Sequence, residues 1–347
     1  MFQTLGSSHR RVTISISRGN NRFLVEKNLF VHLGYLGHGT SDGVRLCGAF
    51  VLVGRFLMAS LLSSFLSSEV VAQEEIELWA GQEIPFAKEN GLKEFELVCW
   101  GGNMCADDIT VPTLSFYPAK ENPSGKAVLV IPGGGYNVVA FSYEGHDTAK
   151  ALAERGVSAG VLKYRLPDNR HSTNPQMTPL TDARRALEIM RDRAAELGIR
   201  DGHVGVLGYS AGAHLATLTG LWRSDDSNQN PNFSVLVYGV TRLTKSNQDW
   251  LEKSVYHRPL TENEIAKNTL LDLVNEETPP AFLVHAMDDN VCHYTESTYY
   301  AERLTEHGVE IEMHLFPTGG HGFGLGLAED GTDQWMDLVT HWVRRLN

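Results

Sequence analysis

Residues 204–212 read Val-Gly-Val-Leu-Gly-Tyr-Ser-Ala-Gly, an apolar run that leads into the pattern G-x-S-x-G. The run predicts a buried strand, and the Ala- and Leu-rich stretch after Gly212 predicts a helix. A serine between such a strand and such a helix forms a nucleophile elbow, in which its hydroxyl is exposed beside the next backbone N–H. Ser210 is therefore the candidate nucleophile, provided that a base and an acid accompany it.

The partners of such a serine follow it in the chain, first an acid and then a histidine. The apolar run 281–285 leads into Asp288 and Asp289, and the run 310–316 leads into the glycine-rich stretch around His321. Each candidate lies just past the carboxyl end of a predicted strand, where open α/β sheets bind their ligands. We predict His321 as the base and Asp289 as the acid that orients it, with Asp288 as the alternative. The other histidines within predicted elements are expected to be packed side chains: His214, His285 and His314.

A triple glycine follows the continuous apolar run 127–131 in the sequence Pro132-Gly133-Gly134-Gly135-Tyr136. Consecutive glycines allow backbone N–H groups to point at one spot, as the oxyanion of an acyl transfer requires. We assign this oxyanion hole to Gly134 or Gly135 together with the N–H of Ala211. A phosphate-binding loop is the alternative, but the spacing matches neither G-x-x-x-x-G-K-[ST] nor G-x-G-x-x-G. The candidate substrate-binding side chains adjoin the glycine loop and the serine: Tyr136 and Tyr209.

Strand and helix patterns alternate through the rest of the chain. The predicted strands are 94–100, 109–117, 127–131, 157–164, 204–207, 233–238, 281–285 and 310–316. The predicted helices are 148–155, 178–197, 295–307 and a C-terminal helix that includes Trp335 and Trp342. This alternation predicts the α/β class with a doubly wound, mostly parallel sheet in a single domain. The long polar segment 239–280 is predicted to be a partial lid. Pro112, near the start of strand 109–117, places that strand at an edge of the sheet.

The first 72 residues differ from the rest. The apolar run 56–66 follows Arg55 and is 11 residues long, too short to span a bilayer core of about 30 Å. Val70 and Ala72 supply small residues before a cleavage site. We predict a signal peptide that is cleaved after Ala72, and a catalytic domain at residues 73–347. Because about forty unrelated residues precede the apolar region, we expect translation to begin nearer Val44 or Met58. A genuine N-terminal extension with a membrane-anchoring helix is the alternative.

The charge balance narrows the class of partner. Residues 1–72 hold 7 of the 30 Lys and Arg residues and 3 of the 42 acidic residues, so their removal changes the formal charge from −12 to −16. Nucleic acids and anionic membrane surfaces attract basic patches, so the balance argues against both as partners. It favours solubility and a neutral or sugar-like substrate. The predicted signal peptide, in turn, implies a secreted or periplasmic protein without a membrane span after cleavage.

Three cysteines remain beyond the predicted signal peptide: Cys99, Cys105 and Cys292. Their spacing matches no zinc site, and the motifs imply no metal and no organic cofactor. Cys99 and Cys105 could close a short loop in an oxidising compartment. The sequence leaves that pairing open.

Five segments taken together resemble the secreted bacterial acetylxylan esterases, and more broadly the esterases of the α/β-hydrolase superfamily that include feruloyl-type activity on xylan. These segments are 131–136, 162–167, 208–212, 285–289 and 319–323. The resemblance implies a serine esterase that removes acetyl or feruloyl groups from plant or algal polysaccharide. Two departures stand out. Pro132 replaces the histidine of the HGGG esterases, and Cys292-His293 replaces an expected valine and proline after the acid turn.

Other functions share parts of this pattern. A general small-ester carboxylesterase and a peptidase of the prolyl-oligopeptidase type have the same elbow and order of triad residues. Such peptidases usually carry a large accessory domain, for which the 275 residues of 73–347 leave no room. A pseudo-hydrolase that binds carbohydrate without cleaving it is the alternative outside the enzymes. The presence of all three triad residue types and of the glycine loop argues against it.

Overall fold

The structure, a computed structural model, describes residues 14–18, 21–25, 74–89, 91–119, 122–200 and 203–346. The chain divides into two compact units, Met1–Glu69 and Val70–Asn347. In the first unit, β1 (Ile14–Arg18) pairs antiparallel with β2 (Asn21–Val25). The predicted signal peptide and its cleavage site after Ala72 lie outside the described residues, so cleavage stays a prediction.

The second unit contains one large sheet and a separate two-stranded hairpin. Its strands are β3 (Glu74–Glu77), β4 (Phe95–Val98), β5 (Met104–Asp107), β6 (Thr113–Tyr117), β7 (Ala127–Ile131), β8 (Ser158–Lys163), β9 (Val204–Tyr209), β10 (Ser234–Val237), β11 (Ala281–Ala286) and β12 (Ile311–Phe316). Eight of them form one sheet in the order β12-β11-β10-β9-β7-β8-β6-β3. The strands from β12 to β8 run parallel, and β6 runs antiparallel to both of its neighbours. The predicted mostly parallel sheet is confirmed.

Helices cover both faces of the sheet. They are α1 (Thr148–Glu154), α2 (Thr178–Asp192), α3 (Ala211–Leu221), α4 (Lys245–Leu251), α5 (Glu262–Asn268), α6 (Thr295–Glu306) and α7 (Trp335–Arg345). Short 3₁₀ or π-helical segments are Trp100–Gly102, Phe141–Asp147, Ser227–Gln229, Glu252–Tyr256, Leu270–Leu273 and Thr332–Gln334. The central strand β7 shows why its sequence is continuously apolar. Val128 and Val130 share a core cluster with α1 and α7, whereas Leu129 and Ile131 share one with α2 and α3. A strand covered on both faces needs no polar alternation.

The edge of the sheet differs from the prediction. The strand predicted over 109–117 begins at Thr113, after Pro112, and is not an edge strand because β6 lies between β8 and β3. The edge strand on this side of the sheet is β3, whose sequence Glu-Glu-Ile-Glu leaves its three glutamates exposed, and β12 forms the other edge. Charged side chains on an edge discourage pairing with another sheet. The sequence did not predict β3, since a single apolar residue gives no periodic signal.

A small hairpin stands apart from the main sheet. The predicted strand 94–100 is shorter, as β4, and pairs antiparallel with the unpredicted β5. A disulfide bond joins Cys99 to Cys105 across the turn, with the two Cα atoms 6.0 Å apart. The remaining described cysteine, Cys292, is buried as a free thiol. The structure thus contains the pairing that the sequence left open.

The segment predicted as a partial lid is helical. It contains α4 and α5, and each of these helices is followed by one short helical segment. Thr261 begins α5 with a capping box, in which its hydroxyl and the carboxylate of Glu264 satisfy each other's backbone N–H groups. Among the helices that the structure describes, none is both long enough and apolar enough to cross a bilayer.

Candidate active site

Ser210 occupies a sharp turn between β9 and α3. Its backbone has φ 50° and ψ −116°, a conformation that residues with a side chain rarely adopt. The partly exposed serine therefore stands above the carboxyl end of β9, and α3 starts at the next residue. This is the strained geometry expected of a nucleophile elbow.

The two glycines of the motif are required by close backbone approaches. A Cβ atom at Gly208 would lie 2.2 Å from the carbonyl oxygen of Gly212. A Cβ atom at Gly212 would lie 2.1 Å from the carbonyl oxygen of Ile131, the last residue of β7. Neither position has room for a side chain. The G-x-S-x-G pattern therefore permits the tight packing of α3 against the central strands.

The structure brings Ser210, His321 and Asp289 together. The Oγ atom of Ser210 lies 2.9 Å from Nε2 of His321, and Nδ1 of His321 lies 2.7 Å from Oδ2 of Asp289. The Asp289 side chain is fully buried, whereas 19% of the His321 side chain is exposed. A proton on Nδ1 directed at the carboxylate leaves Nε2 free to accept the serine proton. The arrangement can activate the hydroxyl as a nucleophile.

Further hydrogen bonds hold Asp289 in its ionised form. Its Oδ1 atom accepts the backbone N–H groups of Val291 and Cys292 at 2.8 and 2.9 Å. Burial acts to raise the pKa of Asp289, but the hydrogen bonds from His285, His321 and Val291 outweigh it, so the pKa is well below its usual range. Asp289 is therefore an anion at neutral pH, as the role of orienting the imidazole requires.

Asp288, the alternative acid, binds the backbone of the histidine loop and not the imidazole ring. It is exposed, and its Oδ1 atom accepts the backbone N–H of Gly320 at 2.8 Å. The geometry thus favours Asp289 as the partner of His321. Asp288 instead joins the acid turn to the loop that carries the base.

A second histidine lies behind the acid. His285, at the end of β11, is fully buried, and its Nε2 atom lies 2.7 Å from the carbonyl oxygen of Cys292 and 3.3 Å from Oδ2 of Asp289. Its Nδ1 atom lies 2.8 Å from the hydroxyl of Ser297 on α6. The sequence predicted a packed histidine here and missed these contacts. They fix the acid turn against α6.

The glycine loop lies beside the elbow. Gly134 and Gly135 have φ values of 125° and 65°, which glycine adopts without strain. Within the part of the chain that the structure describes, no hydrogen bond uses the N–H of Gly134, Gly135 or Ala211. These N–H groups are therefore available to an oxyanion, and the first N–H groups of a helix such as α3 lack partners by construction.

A buried carboxyl group supports the glycine loop. Oε2 of Glu144 accepts the N–H of Gly133 at 2.8 Å, and Oε1 accepts the hydroxyl of Tyr238 at 2.8 Å. Burial raises the pKa of Glu144, although hydrogen bonds from Tyr238 and Gly133 act in the opposite direction. No sequence pattern pointed to this residue, because segment 141–147 has no helical or strand periodicity.

Tyr136 lies beside the glycine loop but is 5% exposed. Its hydroxyl lies 3.0 Å from Nδ1 of His214, and its ring stacks on Trp250 of α4 with the centroids 5.5 Å apart. The indole N–H of Trp250 donates to the carbonyl of Gly135 at 3.2 Å. The predicted lid segment therefore contacts the glycine loop through Trp250, which the sequence did not single out. A substrate contact by Tyr136 stays a prediction.

Tyr209 does not reach the site, so its prediction as a substrate-binding residue was wrong. Because side chains alternate along a strand, Tyr209 points into the core shared with α1 and α7. It is fully buried, and its hydroxyl lies 2.8 Å from that of Thr148. Adjacency to Ser210 in sequence therefore does not place it beside a substrate.

One group of described side chains has the composition of a metal site. The potential ligand atoms of Asp108, Asp168 and His171 lie within 4.8 Å of one another. The guanidinium of Arg170, however, forms ion pairs with both carboxylates, at 2.7 and 2.5 Å. The Arg170 guanidinium already occupies both carboxylates, and we assign no metal to the group.

The sequence of this chain matches that of a known protein family. The model of the BD-FAE family matches residues 115–304, which is more than half of the chain. The chain belongs to the BD-FAE family. The matched region includes Ser210 and Asp289 and ends before His321.

Two further relatives support the resemblance inferred from the sequence. An acetylxylan esterase of Xylanibacter ruminicola is 29% identical over 248 residues, which cover 70% of this chain and 49% of the esterase. This BD-FAE chain thus spans about half of the length of that relative. The crystal structure of an acetyl ester-xyloside bifunctional hydrolase from Caldicellulosiruptor lactoaceticus has a TM-score of 0.64 at 30% identity, covering 80% of this chain and 97% of that one.

The fold of the BD-FAE chain is that of an α/β hydrolase. An α/β-hydrolase enzyme from a Medee basin deep-sea metagenome library has a TM-score of 0.52 at 26% identity, covering 74% of this chain and 98% of that structure. The predicted fold class and the predicted likeness to acetylxylan esterases are therefore confirmed.

Proposed function

We propose that this protein is a serine carboxylic-ester hydrolase that works through an acyl-enzyme formed on Ser210. The observation that carries the proposal is the continuous chain of contacts from Ser210 Oγ to His321 Nε2 at 2.9 Å and from His321 Nδ1 to Asp289 Oδ2 at 2.7 Å. The strained backbone of Ser210 and the available N–H groups of the glycine loop support it.

In the first half of the reaction, Ser210 Oγ attacks the ester carbonyl carbon while its proton moves to Nε2 of His321. The carbonyl oxygen becomes an oxyanion, which the N–H groups of Ala211 and of Gly134 or Gly135 stabilise. The ionised carboxylate of Asp289 stabilises the imidazolium. The tetrahedral intermediate then breaks its bond to the alcohol oxygen, which takes the proton from Nε2, and leaves Ser210 acylated.

In the second half, water attacks the acyl carbon and gives a proton to Nε2 of His321. The intermediate expels the serine oxygen, which recovers that proton, and the carboxylic acid is released. Each donor used in the first half serves again in the second. The residues present complete this cycle with water as the co-substrate.

We propose acetyl groups on xylan-like polysaccharide as the substrate, with feruloyl groups as the alternative acyl. The similarity to an acetylxylan esterase and to an acetyl ester-xyloside hydrolase supports this class. The acidic formal charge also suits a neutral sugar ester. Action on such a polymer fits the predicted secretion, which remains part of this proposal.

The test is a set of hydrolysis assays on the full chain and its Ser210→Ala variant. The substrates are 4-nitrophenyl acetate, acetylated xylan and methyl ferulate. We expect the wild type to hydrolyse the small ester and to release acetate from xylan, and the variant to lose both activities. A Glu329→Ala variant, which changes an exposed side chain, serves as the matched control.

The outcomes separate the alternatives. Full activity in Ser210→Ala would contradict the mechanism. Hydrolysis of the small ester without release of acetate from xylan would identify a general carboxylesterase and contradict the polysaccharide substrate. Cleavage of a prolyl peptide 4-nitroanilide without ester hydrolysis would identify a peptidase. Binding of xylan with no hydrolysis of any substrate would identify a pseudo-hydrolase.

A further inference from the structure

We propose that Glu144 is a positioning residue that fixes the glycine loop and the histidine loop relative to each other. The inference rests on the proposed ester hydrolysis at Ser210 and extends it to a residue outside the triad. Glu144 touches neither the substrate carbonyl nor the serine proton in this scheme. One of its carboxyl oxygens instead binds the glycine loop directly, and the other reaches the histidine loop through Tyr238.

The first link runs from Glu144 to the glycine loop. Oε2 accepts the N–H of Gly133 at 2.8 Å, immediately before Gly134 of the proposed oxyanion hole. A Cβ atom at Gly133 would lie 2.8 Å from Oε2 of Glu144 and 3.1 Å from Cβ of Ser210. The carboxyl group, the loop and the elbow therefore pack so closely that Gly133 has no room for a side chain.

The second link runs from Glu144 to the histidine loop through Tyr238. Oε1 of Glu144 accepts the Tyr238 hydroxyl at 2.8 Å, and the hydroxyl oxygen in turn accepts the N–H of Gly324 at 3.1 Å. The ring of Tyr238 lies 4.9 Å from that of His321 and 4.8 Å from that of Phe323. One buried phenol thus holds the base loop both by a hydrogen bond and by ring contacts.

The burial of Glu144 and Tyr238 allows their hydrogen bonds to hold the glycine loop and the histidine loop in place. Glu144 is 8% exposed and Tyr238 is fully buried, so these hydrogen bonds are largely shielded from solvent. Tyr238 has a positive φ of 41°, a strained conformation that persists only where its surroundings enforce it. A buried carboxyl group without such hydrogen-bond partners would destabilise the folded protein.

Three variants of the full chain test the inference with 4-nitrophenyl acetate. Glu144→Ala removes both links, and we expect kcat to fall about 10²-fold, as for the loss of one oxyanion-hole donor, with KM within about threefold. Glu144→Gln can still accept the Gly133 N–H and donate to the Tyr238 oxygen, but it leaves the Tyr238 O–H without an acceptor, so we expect a kcat between those of the wild type and Glu144→Ala. Tyr238→Phe keeps the ring and removes one link, so its loss of kcat should be smaller than that of Glu144→Ala.

The control is Glu302→Ala, which removes an exposed carboxylate on α6 and should leave kcat unchanged. Retention of wild-type kcat by Glu144→Ala would overturn the inference, and so would a loss in Glu144→Gln as large as in Glu144→Ala. If Glu144→Ala does not fold, the kcat of Tyr238→Phe decides, because an unchanged value overturns the inference and a reduced one supports it. Failure of the proposed function has a different signature, namely the absence of ester hydrolysis in the wild type or its persistence in Ser210→Ala.

Discussion

Asp288 and Asp289 are adjacent in the chain, yet their carboxylates bind two different groups of one loop. Asp289 is buried and lies 2.7 Å from the imidazole of His321, whereas Asp288 is exposed and accepts the backbone N–H of Gly320 at 2.8 Å. The two side chains leave this turn in different directions, so one aspartate meets the ring and the other meets the backbone. The two residues therefore have separable roles.

The first prediction follows from this division. Asp289→Asn should lower kcat for 4-nitrophenyl acetate about 10³- to 10⁴-fold, because the amide cannot stabilise the imidazolium and favours the wrong tautomer. Asp288→Asn keeps an oxygen acceptor for Gly320 and should lower kcat less than about tenfold. Equal losses of kcat in the two variants, or a larger loss in Asp288→Asn, would show that Asp289 is not the acid that orients His321.

The second prediction concerns the strained backbone of Ser210, whose φ is 50° and ψ is −116°. Glycine adopts this conformation without strain, so Ser210→Gly should be more stable to unfolding than Ser210→Ala by about 1–2 kcal/mol. Thermal denaturation of the two inactive variants measures the difference. As a control, Ala216→Gly in the middle of α3 should destabilise the protein by about 1 kcal/mol. Lower stability of Ser210→Gly than of Ser210→Ala would show that the elbow is not strained.

The third prediction is a pH dependence of stability that comes from His214. Burial lowers the pKa of His214 to about 4, whereas an unfolded histidine has a pKa of about 6.5. The unfolded state therefore binds more protons in this window, so His214 contributes stability above about pH 6.5 that is lost as the pH falls toward 4. At neutral pH, His214 contributes about 3 kcal/mol to the free energy of unfolding through this pKa difference.

Urea unfolding between about pH 4 and 7 measures this effect. The His214→Asn variant retains a hydrogen-bonding group near the Tyr136 hydroxyl but cannot titrate. Its unfolding free energy should vary less with pH than that of the wild type. An identical pH dependence in the two proteins would show that His214 is not the group responsible.

The fourth prediction concerns the N-terminal region. N-terminal sequencing of the protein isolated from its native source should begin at Gln73, because Val70 and Ala72 precede that residue as a signal peptidase requires. Ala72→Arg should block cleavage and retain the uncleaved chain. An intact Met1 on the secreted wild-type protein would contradict the prediction.

Short sequence patterns, such as apolar runs and glycine-rich turns, correctly predicted the elements that depend on neighbouring residues alone. The run 127–131 is buried on both faces, so its composition alone indicated a central strand. Ser210 follows the buried strand β9 and His321 follows the half-exposed edge strand β12, and both have glycine neighbours that tight turns require, so both became candidates from the sequence alone. The helix predicted over 178–197 ends earlier, at Asp192, since its later residues form a turn that apolar spacing does not distinguish from a helix.

Long-range contacts account for what the sequence could not predict. The role of Glu144 depends on Gly133 and Tyr238, and Tyr238 is 94 residues away from it. Trp250 reaches Gly135 across 115 residues from a segment without periodicity. Tyr209 was misassigned because proximity in the chain was taken as proximity in space, although a strand turns neighbouring side chains to opposite faces.

Covalent labelling tests the central claim, that Ser210 is the nucleophile, most directly. The full chain is incubated with a fluorophosphonate, which reacts with activated serine hydroxyls, and its peptides are analysed by mass spectrometry. We predict one phosphonyl group on the peptide that contains Ser210, no label in Ser210→Ala, and much slower labelling in His321→Ala. A label on another residue, or none on the wild type, would contradict the account.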